Sequence, residues 1–187
     1  MLSFYWPPPS RTWSLLKSPT GLTETPSPEL RAINVERLRE DRMAVDGLAT
    51  TCLLSVAVGA FEALRARRAR ARAFHVTSVG VHLFILGTSV ASRAALEVQA
   101  PATLGTQYSI QRGARMLRLL SAGIASDVGA VLAGALALRA SRRSSETLAG
   151  AGTSLVLHGA MLLFIDTALF LRNAYHQRRV LQSVGGP

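Results

Sequence analysis

The feature that most constrains the fold of this chain is a set of four long apolar stretches. They cover residues 47–64, 74–96, 117–138 and 147–171. A helix of about 20 mainly apolar residues crosses the ~30 Å hydrocarbon layer of a membrane, whereas the helices of a soluble bundle carry a polar face. These stretches are apolar all round. We therefore predict an all-α, integral membrane four-helix bundle over residues 44–172.

Composition favours membrane helices over a soluble bundle or a nucleic-acid-binding protein. The mean hydropathy is +0.26, and aromatic residues make up only 6 % of the chain, so its apolar content lies mainly in Ala, Leu, Val and Gly. The net charge of +10 comes mostly from arginines outside the stretches, as in 65–72 and 139–143. Short arginine runs at helix ends are typical of membrane proteins. We expect lipid as a partner and identify no nucleic acid or soluble substrate.

The segments outside the four stretches differ from one another. Residues 1–27 form an extended tail rich in Pro, Ser and Thr, which cannot fold alone. Its aromatic residues are predicted to dock on other membrane protein subunits: Phe4, Tyr5, Trp6 and Trp13. Ser27, Pro28 and Glu29 predict a helix start, and residues 28–43 an amphipathic helix on the membrane surface or on a partner. Residues 173–187 are predicted to be a basic C-terminal tail.

The two halves of the membrane region share a pattern. Gly59 and Gly134 are each followed by a short arginine-rich run, and His82 and His158 lie early in the helix after it. Corresponding landmarks are separated by 74 to 79 residues. We predict two similar helical hairpins related by an axis along the membrane normal; chance similarity of two Ala/Leu/Arg-rich segments is the alternative.

The same pattern resembles a family of bacterial four-helix membrane domains of unknown function, some of them fused to a Rieske iron–sulfur domain. The resemblance covers about residues 44–175. It is carried by Phe61, Glu62, Arg72, His75 and Arg93 in the first hairpin and by Arg142, Arg143, His158 and Arg172 in the second. It implies a four-helix membrane fold and an association with redox proteins, and it implies no particular activity.

Ionisable residues inside a membrane span are costly and are therefore functional candidates. At ~1.5 Å per residue, His82, Asp127 and His158 lie in one layer ~12–16 Å from the arginine-rich turns. One interpretation is interhelical hydrogen bonding, worth ~1 kcal/mol for each group. A second is b-type haem with His82 and His158 as ligands and Asp127 orienting one ring; a third is a proton or ion path. Asp166 is expected at a solvated helix end.

The third stretch is unusually rich in small residues, which let helix backbones approach closely in lipid. We expect this helix to be central, with Gly129, Ala130, Ala133 and Gly134 buried against its neighbours. Cys52, the only cysteine, excludes an internal disulfide and a cysteine-cluster metal site.

No phosphate-binding, nucleophile-elbow or zinc-protease motif is present, which argues against an enzyme. The favoured function is a non-catalytic accessory or scaffold subunit of a larger membrane complex. A haem-binding electron-transfer module and a small transporter or channel are the alternatives. We expect a multi-pass protein of the cell membrane, specifically a bacterial inner membrane, with the arginine-rich turns in the cytoplasm.

Overall fold

The computed structural model describes residues 26–97, 105–141 and 145–185. This part of the chain consists of α1 (Pro28–Arg65), α2 (Ala69–Glu97), α3 (Thr106–Ser141) and α4 (Glu146–Gly185). Each helix contains a window of mean hydropathy 1.5 to 1.9 that is long and apolar enough to cross a membrane. The predicted all-α fold and its four apolar helices are confirmed. The aromatic tail residues Phe4, Tyr5, Trp6 and Trp13, and Arg142 and Arg143, lie outside the described residues.

Helix α1 begins where the sequence predicts. The side chain of Ser27 accepts a hydrogen bond from the backbone N–H of Leu30 at 3.1 Å, and Pro28 occupies the first turn. A serine cap satisfies one of the free amide groups of a helix start, and proline at the first position loses no hydrogen bond. The helix ends at Arg65, after which Ala66 is extended and its N–H bonds to the carbonyl of Glu62.

Two segments that are predicted to be separate from the spans are instead parts of longer helices. Residues 28–43 are not a separate interfacial helix, because α1 continues unbroken to Arg65. Residues 173–185 are not a tail, because α4 continues to Gly185. The polarity of the chain changes at both places, but no proline interrupts the backbone. A change from apolar to charged residues alters what surrounds a helix without ending it.

The helices pair along the chain: α1 packs against α2, and α3 packs against α4. The two hairpins meet mainly through α2 and α4, while α3 makes little contact with α1 or α2. The expectation that α3 is central is therefore wrong. The inner helices are α2 and α4, and α3 packs mainly on α4.

Only part of the small-residue surface of α3 faces another helix. A Cβ atom added to Gly134 would lie 2.7 Å from the carbonyl oxygen of Gly152, and one added to Gly152 would lie 2.8 Å from that of Gly134. The two backbones are in direct contact there. Ala130 is half-buried, but Gly129 and Ala133 are exposed, and an added Cβ at Gly129 would meet nothing within 4 Å. The prediction that all four are buried is wrong for Gly129 and Ala133. These two residues form one row along α3, Ala130 and Gly134 form the row beside it, and only the second row faces α4.

Three of the helices extend beyond the predicted spans at one end of the molecule. We call this region the terminal bundle: residues 28–46 of α1, 106–116 of α3 and 172–185 of α4. Leu30 and Ile33 of α1 are buried against Val180 of α4, and Ile110 of α3 packs on them. The apolar face predicted for residues 28–43 thus lies against this chain's own helices.

Candidate functional site

His82 and His158 lie in direct contact between α2 and α4. Their ring centroids are 4.8 Å apart and the rings meet edge to face at 85°. His82 is buried, with 6 % of its surface exposed, and His158 is half-buried. The two histidines that the sequence analysis places in one layer are thus in contact with each other.

Both rings are oriented by their own helices. The Nδ1 atom of His82 lies 2.8 Å from the carbonyl oxygen of Ser78, and that of His158 lies 2.7 Å from the carbonyl oxygen of Ser154. A carbonyl oxygen only accepts hydrogen bonds, so each Nδ1 donates and each Nε2 carries the lone pair. The serine four residues before each histidine therefore fixes the same tautomer in both helices.

The two serines connect the helices directly. Their hydroxyl oxygens are 3.0 Å apart, and the Ser78 hydroxyl is also 2.9 Å from the carbonyl oxygen of Phe74. Because a hydroxyl has one proton, Ser78 donates to Phe74 and accepts from Ser154. Ser154 is fully buried. The layer thus contains two histidines and two serines in matching positions, and the sequence analysis missed the serines.

The arrangement does not fit a haem held by His82 and His158. The orientation through Nδ1 leaves Nε2 available, as axial ligation requires. Two axial ligands, however, approach the iron from opposite faces of the porphyrin, so the macrocycle must lie between the two rings. With the rings in edge contact, no such space exists.

Asp127 lies at the same level but does not orient either histidine. A Cβ atom added to Gly159, the neighbour of His158, would be 3.1 Å from the backbone oxygen of Asp127. The aspartate is 8 % exposed, and its buried Oδ2 atom has no hydrogen-bond partner among the described residues. The role predicted for it is taken by the carbonyls of Ser78 and Ser154.

Asp166 is not at a helix end. It lies inside α4, which continues to Gly185, and its carboxylate fills the space beside Gly123 of α3. The prediction of a solvated terminus is wrong because the basic segment after Leu171 is helical. In the described part of the chain, no group of three or more His, Cys, Asp or Glu side chains is placed to hold a metal ion.

A second polar cluster, absent from the sequence analysis, lies in the terminal bundle. Asp41 of α1 has 3 % of its side chain exposed and accepts from two arginines, Arg112 of α3 at 3.0 Å and Arg172 of α4 at 2.8 Å. Glu40 accepts from His176 at 2.9 Å, although the sequence offered this histidine no partner. One carboxylate thus joins three helices.

Arg37 is completely buried beside this cluster. Its Nη2 atom donates to Asn173 at 3.3 Å, whereas Nε and Nη1 have no hydrogen-bond partner among the described residues. Burial, together with the nearby charge of Arg112, lowers the pKa of Arg37 to about 10. The guanidinium therefore stays charged at neutral pH in a poorly solvated position.

A cavity of about 300 Å³ opens next to the cluster, between the four helices. Its lining includes the charged residues Asp41, Arg112, Arg115 and Arg172, together with other polar side chains and with apolar residues from all four helices. One usable signal for this site is present in the sequence: three acids, Glu36, Glu40 and Asp41, lie within six residues of α1. Their arginine partners lie in distant segments.

A family model described as a family of unknown function, DUF6992, matches residues 47–167. The chain belongs to this family. The DUF6992 match includes His82, His158 and both serines of their layer, whereas Asp41 and Arg172 of the terminal bundle lie outside it. Neither the curated proteins nor the solved structures gave a match.

Proposed function

We propose that this DUF6992 protein is a non-catalytic accessory or scaffold subunit of a larger membrane complex. The contact between His82 and His158 carries the proposal. The two rings contact each other beside the hydrogen bond between Ser78 and Ser154, so the histidines are part of the packing that joins α2 to α4, a common use of polar residues between membrane helices. The haem alternative is not proposed, since the ring contact leaves no room for the macrocycle.

The surface of the terminal bundle supports attachment to another protein. Val35, Met43 and Tyr175 are 47 %, 55 % and 59 % exposed. Met43 and Tyr175 line one groove between α1 and α4, and Val35 and Met43 line the next groove along α1. Exposed apolar and aromatic side chains beside polar ones are typical of interface anchors. The aromatic tail, residues 1–25, joins the chain at this same end.

We further propose that the chain is a multi-pass protein of a bacterial cell membrane, built from a duplicated hairpin. The arginine-rich turn of residues 65–72 would lie in the cytoplasm and the terminal bundle on the opposite side. The fusion of similar four-helix domains to Rieske iron–sulfur domains makes redox complexes the first class to examine for partners.

The test is purification of the tagged full-length chain from native membranes in a mild detergent, followed by native electrophoresis and mass spectrometry. Three forms are compared: the full-length chain, a Phe4→Ala/Tyr5→Ala/Trp6→Ala/Trp13→Ala variant, and a control with Ser3→Ala/Ser10→Ala/Thr12→Ala/Ser14→Ala. We expect the full-length chain and the control to migrate in one complex with defined partners, and the aromatic variant to run alone. A further form that lacks residues 1–25 keeps Pro26 and the Ser27 cap and should still insert and fold.

Equal recovery of partners by the aromatic variant and the control would contradict the docking role of the tail. Migration of the full-length chain as a monomer in every gentle detergent would contradict the scaffold proposal itself. A reduced-minus-oxidised absorption band of haem in the purified protein would return the histidine pair to the redox interpretation.

A further inference from the structure

The cavity next to Asp41 combines a cationic side with an apolar side. Arg112, Arg115 and Arg172 line it together with a single carboxylate, that of Asp41. Both oxygens of this carboxylate are already used, Oδ2 by Arg112 and Oδ1 by Arg172. Arg115 is exposed and forms no ion pair with any residue that the structure describes. The cavity therefore carries an excess of positive charge.

Several buried arginine nitrogens around the cavity lack an acceptor. These are Nη1 of Arg112 and Nε and Nη1 of Arg37, none of which has a hydrogen-bond partner in the described part of the chain. Nε of Arg172 also lacks a hydrogen bond there, but it lies 3.6 Å from a carboxylate oxygen of Glu40. Arg37 does not line the cavity but lies close enough to Arg112 for their charges to interact. A buried charged donor without an acceptor is costly. An anion in the cavity would supply acceptors, and planar guanidinium groups match phosphate oxygens well.

Part of the cavity wall is apolar and lies at the border of a predicted span. Met116, Leu119 and Leu120 of α3 form this wall with Leu169 of α4. Leu119 is 63 % exposed. The exposed Leu119 therefore makes this part of the cavity accessible from outside the bundle, at the border of the predicted span. An apolar chain can leave the cavity by this route, which a free inorganic anion would not use.

We propose that this cavity binds an anionic phospholipid, with its headgroup phosphate at Arg112 and Arg115 and an acyl chain along Leu119 and Leu120. The inference rests on the proposed location in a membrane. A lipid held in the cavity fills space that the protein's own side chains leave open, and it neutralises charge at the base of the terminal bundle. The site is distinct from the histidine layer and from the surface proposed to meet partner subunits.

The experiment is a titration of the delipidated full-length chain in detergent, followed by native mass spectrometry. The probes are dioleoyl phosphatidylglycerol, dioleoyl phosphatidylcholine and inorganic phosphate. We expect one phosphatidylglycerol to bind at least tenfold more tightly than phosphatidylcholine. Arg115→Gln should weaken its binding three- to tenfold, because Arg115 is exposed and unpaired in the free protein and so contributes little to folding. Arg118→Gln, which removes an exposed charge three residues away outside the cavity, should leave binding unchanged.

Three outcomes would overturn the proposal: equal affinity for the two lipids, equal loss of binding in the Arg115 and Arg118 variants, or displacement of the lipid by equimolar inorganic phosphate, which would indicate a free-anion site. Extraction of native membranes at alkaline pH separates this failure from that of the proposed location. A chain that stays in the membrane but shows no lipid preference refutes only the lipid site. A chain released from the membrane refutes the location on which the site depends.

Discussion

Helix α4 packs against its neighbours by different interactions in the apolar part of the bundle and in the terminal bundle. In the apolar part of the bundle, α4 meets α2 through a serine and a histidine from each helix, and it meets α3 through the backbones of Gly134 and Gly152. In the terminal bundle, the same α4 meets α1 through ion pairs around Asp41 and the apolar contact of Val180. The helices are continuous across the boundary, and we attribute the difference to the proposed location of the apolar part in a membrane and of the terminal bundle in water. In lipid, where burial of apolar surface gives no drive, close backbone contact and hydrogen bonds hold helices together, whereas in water apolar burial and charge pairing are available.

The largest loss of stability should come from removing the negative charge at the centre of the terminal bundle. Asp41→Ala removes the common acceptor of Arg112, which is 11 % exposed, and of the half-buried Arg172, which keeps only Glu40, beside the already unsatisfied Arg37. Loss of one partner of a buried pair costs about 3–5 kcal/mol, and we expect a lower unfolding temperature in detergent and rapid proteolysis within residues 28–46.

The matched control is Asp46→Ala, since Asp46 pairs with Arg93 at 2.8 Å but is 54 % exposed. Exposed ion pairs contribute at most about 1 kcal/mol. Equal destabilisation by the two variants would mean that the Asp41 cluster is no more important than a surface pair.

The apolar part should be most sensitive at Gly134. Gly134→Leu forces a side chain into the backbone of α4 next to Gly152, and overpacking of this kind typically costs about 1–3 kcal/mol. Gly129→Leu is the control, because its side chain would point away from every described neighbour. Thermal unfolding of both variants in the same detergent measures the difference. If only Gly129→Leu destabilises the protein, α3 must be rotated about its own axis so that Gly129 rather than Gly134 faces α4.

A smaller effect is expected for the hydrogen bond between α2 and α4. Ser154→Ala removes the hydroxyl that joins Ser78 and should cost about 0.5–1.5 kcal/mol, in the range measured for single interhelical hydrogen bonds in membranes. Ser121→Ala, whose hydroxyl bonds only within its own helix, should change stability much less. The comparison is made by reversible unfolding in mixed micelles. If the two variants are equally stable, the hydrogen bond between Ser78 and Ser154 does not stabilise the bundle.

The smallest effect is expected at the edge of the terminal bundle. Arg179 donates to Glu36 at 2.6 Å, and this hydrogen bond raises the pKa of Arg179, but the two side chains are 33 % and 44 % exposed. Arg179→Ala should lower the unfolding temperature only slightly. The decrease should be smaller still at high salt, because salt screens exposed ion pairs. A decrease in the unfolding temperature as large as that caused by Asp41→Ala would show that the ion pairs of the terminal bundle stabilise it cooperatively.

Much of the apolar part could be predicted from the sequence, and little of the terminal bundle. Long apolar runs fix helix number and approximate ends, and equal distance from two arginine-rich turns placed His82 beside His158. The contacts of Ser78 and Ser154 were missed because serine within a helix is common and usually bonds to its own backbone. The Asp41 cluster was missed because its members come from three segments far apart in the chain. A change in polarity at residues 43–47 and 171–173 was interpreted as the end of a domain, although both helices continue through it.

The proposed division of α1, α3 and α4 between lipid and water can be tested directly by cysteine labelling. In a Cys52→Ala background, Arg39→Cys places a thiol on the exposed face of the terminal bundle, and Phe84→Cys places one at a site that is 74 % exposed in the isolated chain. Both are treated with a water-soluble maleimide in open membrane fragments, before and after unfolding in sodium dodecyl sulfate. The account predicts that Arg39→Cys reacts at once and that Phe84→Cys reacts only after unfolding. Equal reaction of both thiols in intact fragments would contradict it.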